Sequence, residues 1–159
     1  MLALNHDLES TLPERPTILF ACIHNSGRSV AAKVLATHYG EGRVTVLSAG
    51  SEPGAGVNQA VAQVLAERGL SVENEVPKKL DVDTVQASDV VITMGCGETC
   101  PVFPGKRYED WAVEDPAGQD LETVRRIVDD VDGRVRLLLG DLLPATGLSP
   151  SPQRQGTGA

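Results

Sequence analysis

Short apolar runs that alternate with helical stripes constrain this chain of 159 residues more than any other feature of it. Residues 17–22 (TILFAC) form an unbroken run of strand type, followed at helical spacing by Val30, Ala31, Val34, Leu35 and His38, with Gly40 as the stop. The unit then recurs. Residues 44–48 read as a second strand, a loop carries Pro53, Gly54 and Gly56, and Ala60, Val61, Val64 and Leu65 share a helix face that ends at Gly69. Residues 81–87 suit a short helix, and Val90, Val91 and Ile92 make a buried parallel strand that ends at residues 93–97. A short fourth strand is predicted over 108–111. Leu121, Val124, Val128, Val131, Val135 and Leu138 step by three or four, the stripe of a long terminal helix in which Gly133 is a soft spot. Strands that alternate with helices require right-handed crossovers. The expected fold class is therefore α/β, a four-stranded parallel sheet flanked by helices in a flavodoxin-like order, with ligands at the carboxyl ends of the strands.

A chain of this length can bury a core without covalent staples. Aromatic residues are only 3% of it, so Val, Leu, Ile and Ala must fill that core. Three segments are expected: a flexible N-terminal arm over 1–15, an α/β domain over 16–142, and a disordered tail over 143–159 rich in Pro, Gly, Ser and Thr. No apolar run approaches the roughly 20 residues of a membrane helix, and the first residues lack the pattern of a secretory signal, so a cytoplasmic protein is expected. The formal charge is −8, which disfavours nucleic acid or an anionic membrane as partner. Any anion site must be local.

Three cysteines in a cytoplasmic chain point to catalysis, redox cycling or metal binding rather than to structural disulfides. Metal is the weakest of these, because His6, His24 and His38 lack zinc-ligand spacing to Cys96 and Cys100; neither metal nor cofactor is expected. Cys22 ends the first strand and opens the loop Cys22-Ile23-His24-Asn25-Ser26-Gly27-Arg28-Ser29, which runs into the first helix. A tight loop there can turn the N–H groups of residues 23–28 inward as an oxyanion nest at the positive end of the helix dipole. Arg28 adds a two-pronged fork for a tetrahedral anion, and the positive field favours the Cys22 thiolate, the form that attacks. Ser29 can hydrogen-bond the sulfur, and Asn25 tolerates a left-handed backbone. The His24 side chain lines the loop or faces solvent, and His38 packs or caps near the end of the first helix. Trp111 reads as a core anchor, Glu114 as solvent-facing, and Lys78 with Lys79 as a solvated pair.

Taken together, the strand, the CIHNSGRS loop, the Ser48-Ala49-Gly50 stretch, the Cys96 region and Asp115-Pro116-Ala117-Gly118 resemble the arsenate reductases related to low-molecular-weight protein tyrosine phosphatases, over about residues 16–142. The resemblance implies a thiolate nucleophile at Cys22, an acid–base carboxylate at Asp115, and no potassium dependence, because Lys33 stands where potassium-binding relatives have glutamate. Cys96 and Cys100 are four residues apart, about 6 Å if helical, in a glycine-loosened segment that can close to bridging distance. The path this suggests starts with arsenate on Cys22, passes to a Cys22–Cys96 disulfide as arsenite leaves, and ends as a Cys96–Cys100 disulfide reduced by thioredoxin or a similar dithiol protein. Alternatives are a low-molecular-weight tyrosine phosphatase, an arsenate reductase that uses mycothiol or glutathione with a redoxin, and a redox sensor. The absence of an aromatic residue after Asp115-Pro116 favours a small inorganic oxyanion over phosphotyrosine.

Overall fold

The computed structural model describes residues 15–95 and 102–143. Cys96, Cys100 and nearly all of the two expected tails lie outside the described residues. In chain order the elements are β1 (Thr17–Cys22), α1 (Arg28–Gly40), β2 (Thr45–Gly50), α2 (Gln59–Glu67), α3 (Val82–Ala87), β3 (Val90–Met94), β4 (Arg107–Asp110) and α4 (Leu121–Leu142). All four strands are parallel, in the order β2-β1-β3-β4. This is the α/β sheet with flanking helices that the alternation predicted. No helix among the described residues is long and apolar enough to cross a membrane.

Period-two alternation in β1 divides the interior. Ile18, Phe20 and Cys22 join the larger cluster, which holds α1, α2 and α4, whereas Leu19 and Ala21 face a smaller one with Leu80, Val85 and Val91. Phe20 stacks at a tilt on Trp111, ring centroids 5.7 Å apart, so Trp111 is indeed buried in the core. The α4 stripe buries Val124, Val128, Val131, Val135 and Leu138, with Ile127, Leu139 and Leu142 widening it.

Two expectations need correction. His38 is exposed, and its neighbour Tyr39 packs against the core instead. Because α1 lies between the sheet and α4, it is buried on most of its circumference, and a one-sided stripe misjudges which residue of its last turn faces out. Leu143, counted with the tail, is buried and caps α4 by donating its N–H to the Leu139 carbonyl, so the packed body runs one residue beyond the change in composition.

Asp132, on α4, is the main buried carboxylate, and Arg68 (2.8 Å), Arg136 (3.0 Å) and the Tyr39 hydroxyl (3.3 Å) all donate to it, so two cations balance its charge. Burial first, and the Asp132 carboxylate second, push the Tyr39 phenol above its ordinary range. Asp81 and Asp120 cap α3 and α4 by accepting from Thr84 and Thr123, bonds that hold both carboxyls below the usual range.

Lowered carboxyl values contribute stability at neutral pH that is lost as pH falls through them. Urea unfolding of Asp81→Asn and Asp120→Asn should therefore depend less steeply on pH below about 4 than that of the parent chain. The glycines in the helices should behave in opposite ways. A methyl group at Gly40 would lie 2.5 Å from Val44 Cγ2, so Gly40→Ala should cost about 1–3 kcal/mol. Gly133 has open space around its Cβ position, so Gly133→Ala should raise the melting temperature, by up to about 1 kcal/mol of added stability.

Candidate active site

The loop between β1 and α1 owes its shape to its carbonyls. Those of Cys22, Ile23, His24 and Ser26 accept from the N–H groups of Ser51, Glu52, Gly54 and Asn58, at 3.2, 2.7, 2.9 and 2.7 Å. The segment after β2 thus laces the outside of the loop. A trans peptide holds its N–H opposite its C=O, so outward carbonyls at 22, 23, 24 and 26 turn the amides of 23, 24, 25 and 27 inward. The Asn25 amide shows this directly, since it donates to Cys22 Sγ at 3.3 Å. Asn25 has φ 50°, the left-handed turn that the sequence suggested. The approach of the two segments also requires Gly50, because a methyl there would lie 2.6 Å from the Ile23 carbonyl oxygen.

The sulfur of Cys22 sits on the floor of a small cavity lined also by His24, Ser26, Gly27, Arg28, Asn58, Asp115, Pro116 and Ala117. Cys22 is 2% exposed, touching the core below and the loop amides above. Ser29 Oγ lies 3.0 Å from the sulfur, Asn25 Nδ2 donates to Ser29 Oγ at 2.8 Å, and the Lys78 N–H donates to Asn25 Oδ1 at 2.8 Å. A backbone N–H can only donate, so the Asn25 amide orientation is determined, and the Ser29 hydroxyl hydrogen stays available to an ionised sulfur. Gly27, as N-cap, offers α1 no side-chain acceptor, which leaves the positive end of the helix open to the cavity.

Arg28 is held rather than solvated, its side chain 10% exposed. Its Nη1 donates to the Val113 carbonyl at 3.3 Å, and its Nη2 lies 3.8 Å from Asp115 Oδ2, whose side chain is 52% exposed. Asp115 Oδ1 accepts from the Ala117 N–H at 3.0 Å. Gly95, φ 96°, lies flat against the guanidinium, since a methyl there would be 2.9 Å from Arg28 Nη1. Cys22 and Met94 are partners in the β1–β3 register, so the strand leading to Cys96 ends beside the Cys22 loop.

Cys22, Arg28, Ser29, Asp115 and the loop residues are thus gathered at one place, while Cys96 and Cys100 lie outside the described residues. His24 is exposed and lines the cavity, its Nδ1 3.0 Å from the Glu52 carbonyl oxygen. Lys33 donates to Glu75 at 3.0 Å; Glu114 faces solvent, as do Lys78 and Lys79. Sequence reasoning missed Asn58, the Lys78 N–H, the Val113 carbonyl and the contact of Gly95 with Arg28. Asn58 was legible as a helix N-cap before Gln59, though not as a cavity wall. The others act through the backbone and leave no side-chain signal.

A strand-to-helix loop of inward amides that surrounds a cysteine sulfur, with an arginine fork and a carboxylate above it, is the arrangement of enzymes that attack tetrahedral oxyanions with a thiolate. Residues 17–146 match the model for the low molecular weight phosphotyrosine protein phosphatase family, and the chain belongs to that family. Its relatives include a protein named as a putative arsenate reductase from Halobacterium salinarum, 34% identical over 79% of this chain and 92% of the relative. A glutaredoxin arsenate reductase from Synechocystis is 31% identical over 79% of this chain and 97% of the relative. Among solved structures, the thioredoxin-dependent arsenate reductase of Corynebacterium glutamicum superposes with a TM-score of 0.73 at 39% identity, covering 89% of this chain and 70% of that one.

The Asn25 relay makes a specific demand. Asn25→Ala leaves the Lys78 N–H without its acceptor and places a β-carbon without polar compensation at φ 50°, so it should destabilise the chain by about 1–3 kcal/mol. Asn25→Gly should recover only the backbone part, and both variants should slow alkylation of Cys22 by iodoacetamide, measured by mass spectrometry.

Proposed function

We propose that this chain reduces arsenate to arsenite, with Cys22 as nucleophile, Asp115 as proton donor, and Cys96 and Cys100 as the dithiol that removes the two electrons' worth of oxidation. The observation that carries this reading is the Cys22 sulfur held at the centre of the amide loop, with Arg28 and Asp115 across the same cavity. Arsenate fits such a site by charge and shape. Three of its oxygens can take the loop amides and the Arg28 fork, which leaves the fourth toward Asp115.

The Cys22 thiolate attacks arsenic, an As–O bond breaks, and the oxygen leaves as water with a proton from Asp115. The Cys96 thiolate then attacks Cys22 Sγ; an S–S bond forms, the S–As bond breaks, and its electron pair stays on arsenic, which departs as arsenite. Attack by Cys100 on Cys96 frees Cys22 and leaves a Cys96–Cys100 disulfide for an external dithiol. Among the described residues no Phe, Tyr or Trp lines the cavity, which favours an inorganic oxyanion over a phosphotyrosine side chain.

Thioredoxin, or a protein with a similar dithiol, is the reductant we propose. Likeness to a thioredoxin-dependent arsenate reductase supports it, and the chain's own Cys96 and Cys100 supply the intramolecular disulfide such a reductant opens. The test is NADPH oxidation with arsenate and either thioredoxin with its reductase or a small thiol with its redoxin; turnover only in the second arm rejects thioredoxin.

Cys22→Ser should abolish both arsenate reduction and hydrolysis of a small aryl phosphate. Cys96→Ser and Cys100→Ser should each stop multiple turnover of arsenate while hydrolysis survives, because water rather than a thiol completes the phosphatase cycle. Sustained thioredoxin-driven cycling in either of the last two would rule out the relay.

A further inference from the structure

We infer that Gly27 is the seat of the segment that carries Asp115, and that its missing side chain determines how low the proton donor sits over the oxyanion loop. This rests on the reading of Asp115 as proton donor given above.

The contact is unusually close. A β-carbon built on Gly27 would lie 2.7 Å from Pro116 Cγ and 3.5 Å from Pro116 Cδ, with Val61 Cγ2 behind at 3.9 Å. Pro116 is buried, although Asp115 before it and Ala117 after it are exposed, so the ring is the part of this segment that docks. A proline ring is closed on its own backbone nitrogen and cannot swing away as a longer side chain would. Any added atom at residue 27 therefore moves the backbone of residue 116.

That movement carries Asp115 with it. The turn is bonded internally, the Ala117 N–H donating to Asp115 Oδ1 at 3.0 Å and the Gln119 N–H to the Pro116 carbonyl at 3.1 Å, so it shifts as a unit. Its other attachment to the oxyanion loop is the Val113 carbonyl on Arg28 Nη1, and Asp115 Oδ2 is within 3.8 Å of the same guanidinium. Among the described residues the segment thus meets the loop through Val113 and Asp115 on Arg28 and through Pro116 on Gly27, with the carboxylate between the outer two contacts. Gly27 has φ −131° and ψ −82°, outside the left-handed region, and Pro116 is what a side chain there would meet first. Gly27 acts as a positioning residue, through Pro116, on the acid.

A displacement of about 1 Å in a catalytic group can cost about 100-fold in rate. Gly27→Ala should lower arsenate reduction, and hydrolysis of phenyl phosphate, by about that factor. Hydrolysis of 4-nitrophenyl phosphate, whose leaving group departs without a proton, should fall far less, so the dependence of rate on leaving-group acidity becomes steeper. Pro116→Ala removes the ring from its seat and should steepen it as well. In the double variant the new methyl group at residue 27 occupies the space the ring vacated, and the slope should return toward that of the parent chain. A double variant no better than either single one, or unable to fold, overturns the proposal, as does Gly27→Ala with the parent slope. If Gly27→Ala fails to fold, Pro116→Ala against the double variant still reads the coupling. A parent chain that hydrolyses aryl phosphates but does not reduce arsenate removes the functional reading and leaves the leaving-group series able to judge the seat.

Discussion

The site depends on the direction of four peptide planes. A loop that gathers N–H groups around one point must dispose of its carbonyls, and here the segment from Ser51 to Asn58 takes those of Cys22, Ile23, His24 and Ser26 from the far side. The hydrogen bonds that finish the backbone of one loop therefore create the positive interior of the other. This is how a chain of formal charge −8 can offer the proposed site for an oxyanion. Net charge does not set the local field, which here comes from oriented backbone dipoles and the Arg28 guanidinium.

The sheet supplies the precision that the loop needs. Cys22 ends the strand whose neighbours are β2 and β3, paired with Gly50 on one side and Met94 on the other. Each partner strand then delivers something to the loop. The end of β2 gives Gly50, whose bare α-carbon lets the two segments close, and the end of β3 gives Gly95, which lies against Arg28. Asp115 arrives from beyond β4 beside the Arg28 guanidinium, and its segment is held by the Val113 carbonyl on Arg28 and by Pro116 against Gly27 rather than by its own strand. Parallel strands concentrate unlike residues in this way because every one of them ends on the same side.

Much of this was legible beforehand. β1 was readable to the residue, since a six-residue run of strand type between Pro16 and a polar loop admits few other conformations; Ser29 was legible because its hydroxyl can reach the sulfur, and Asn25 because it tolerates a left-handed backbone. His38 misled because α1 is enclosed by the sheet and α4, so periodicity alone does not say which flank stays wet. Leu143 misled because composition changes there before packing does. Gly27 was expected to serve the turn of the loop, yet what lies over it is Pro116, about ninety positions away in the chain.

By itself the amino-acid order determined the alternation of elements and the parallel sheet, which follow from local periodicity, and it set Cys22, Arg28 and Ser29 in one loop, whereas Asp115 stood out only through the family resemblance. Only the tertiary structure decided which carbonyls face out, which glycines are there to be approached rather than to bend, and how Asp115 comes to line the same cavity as Cys22. Those are distances between segments far apart in sequence, set by packing and by backbone hydrogen bonds, and neither depends enough on side-chain identity to leave a mark in the order of residues.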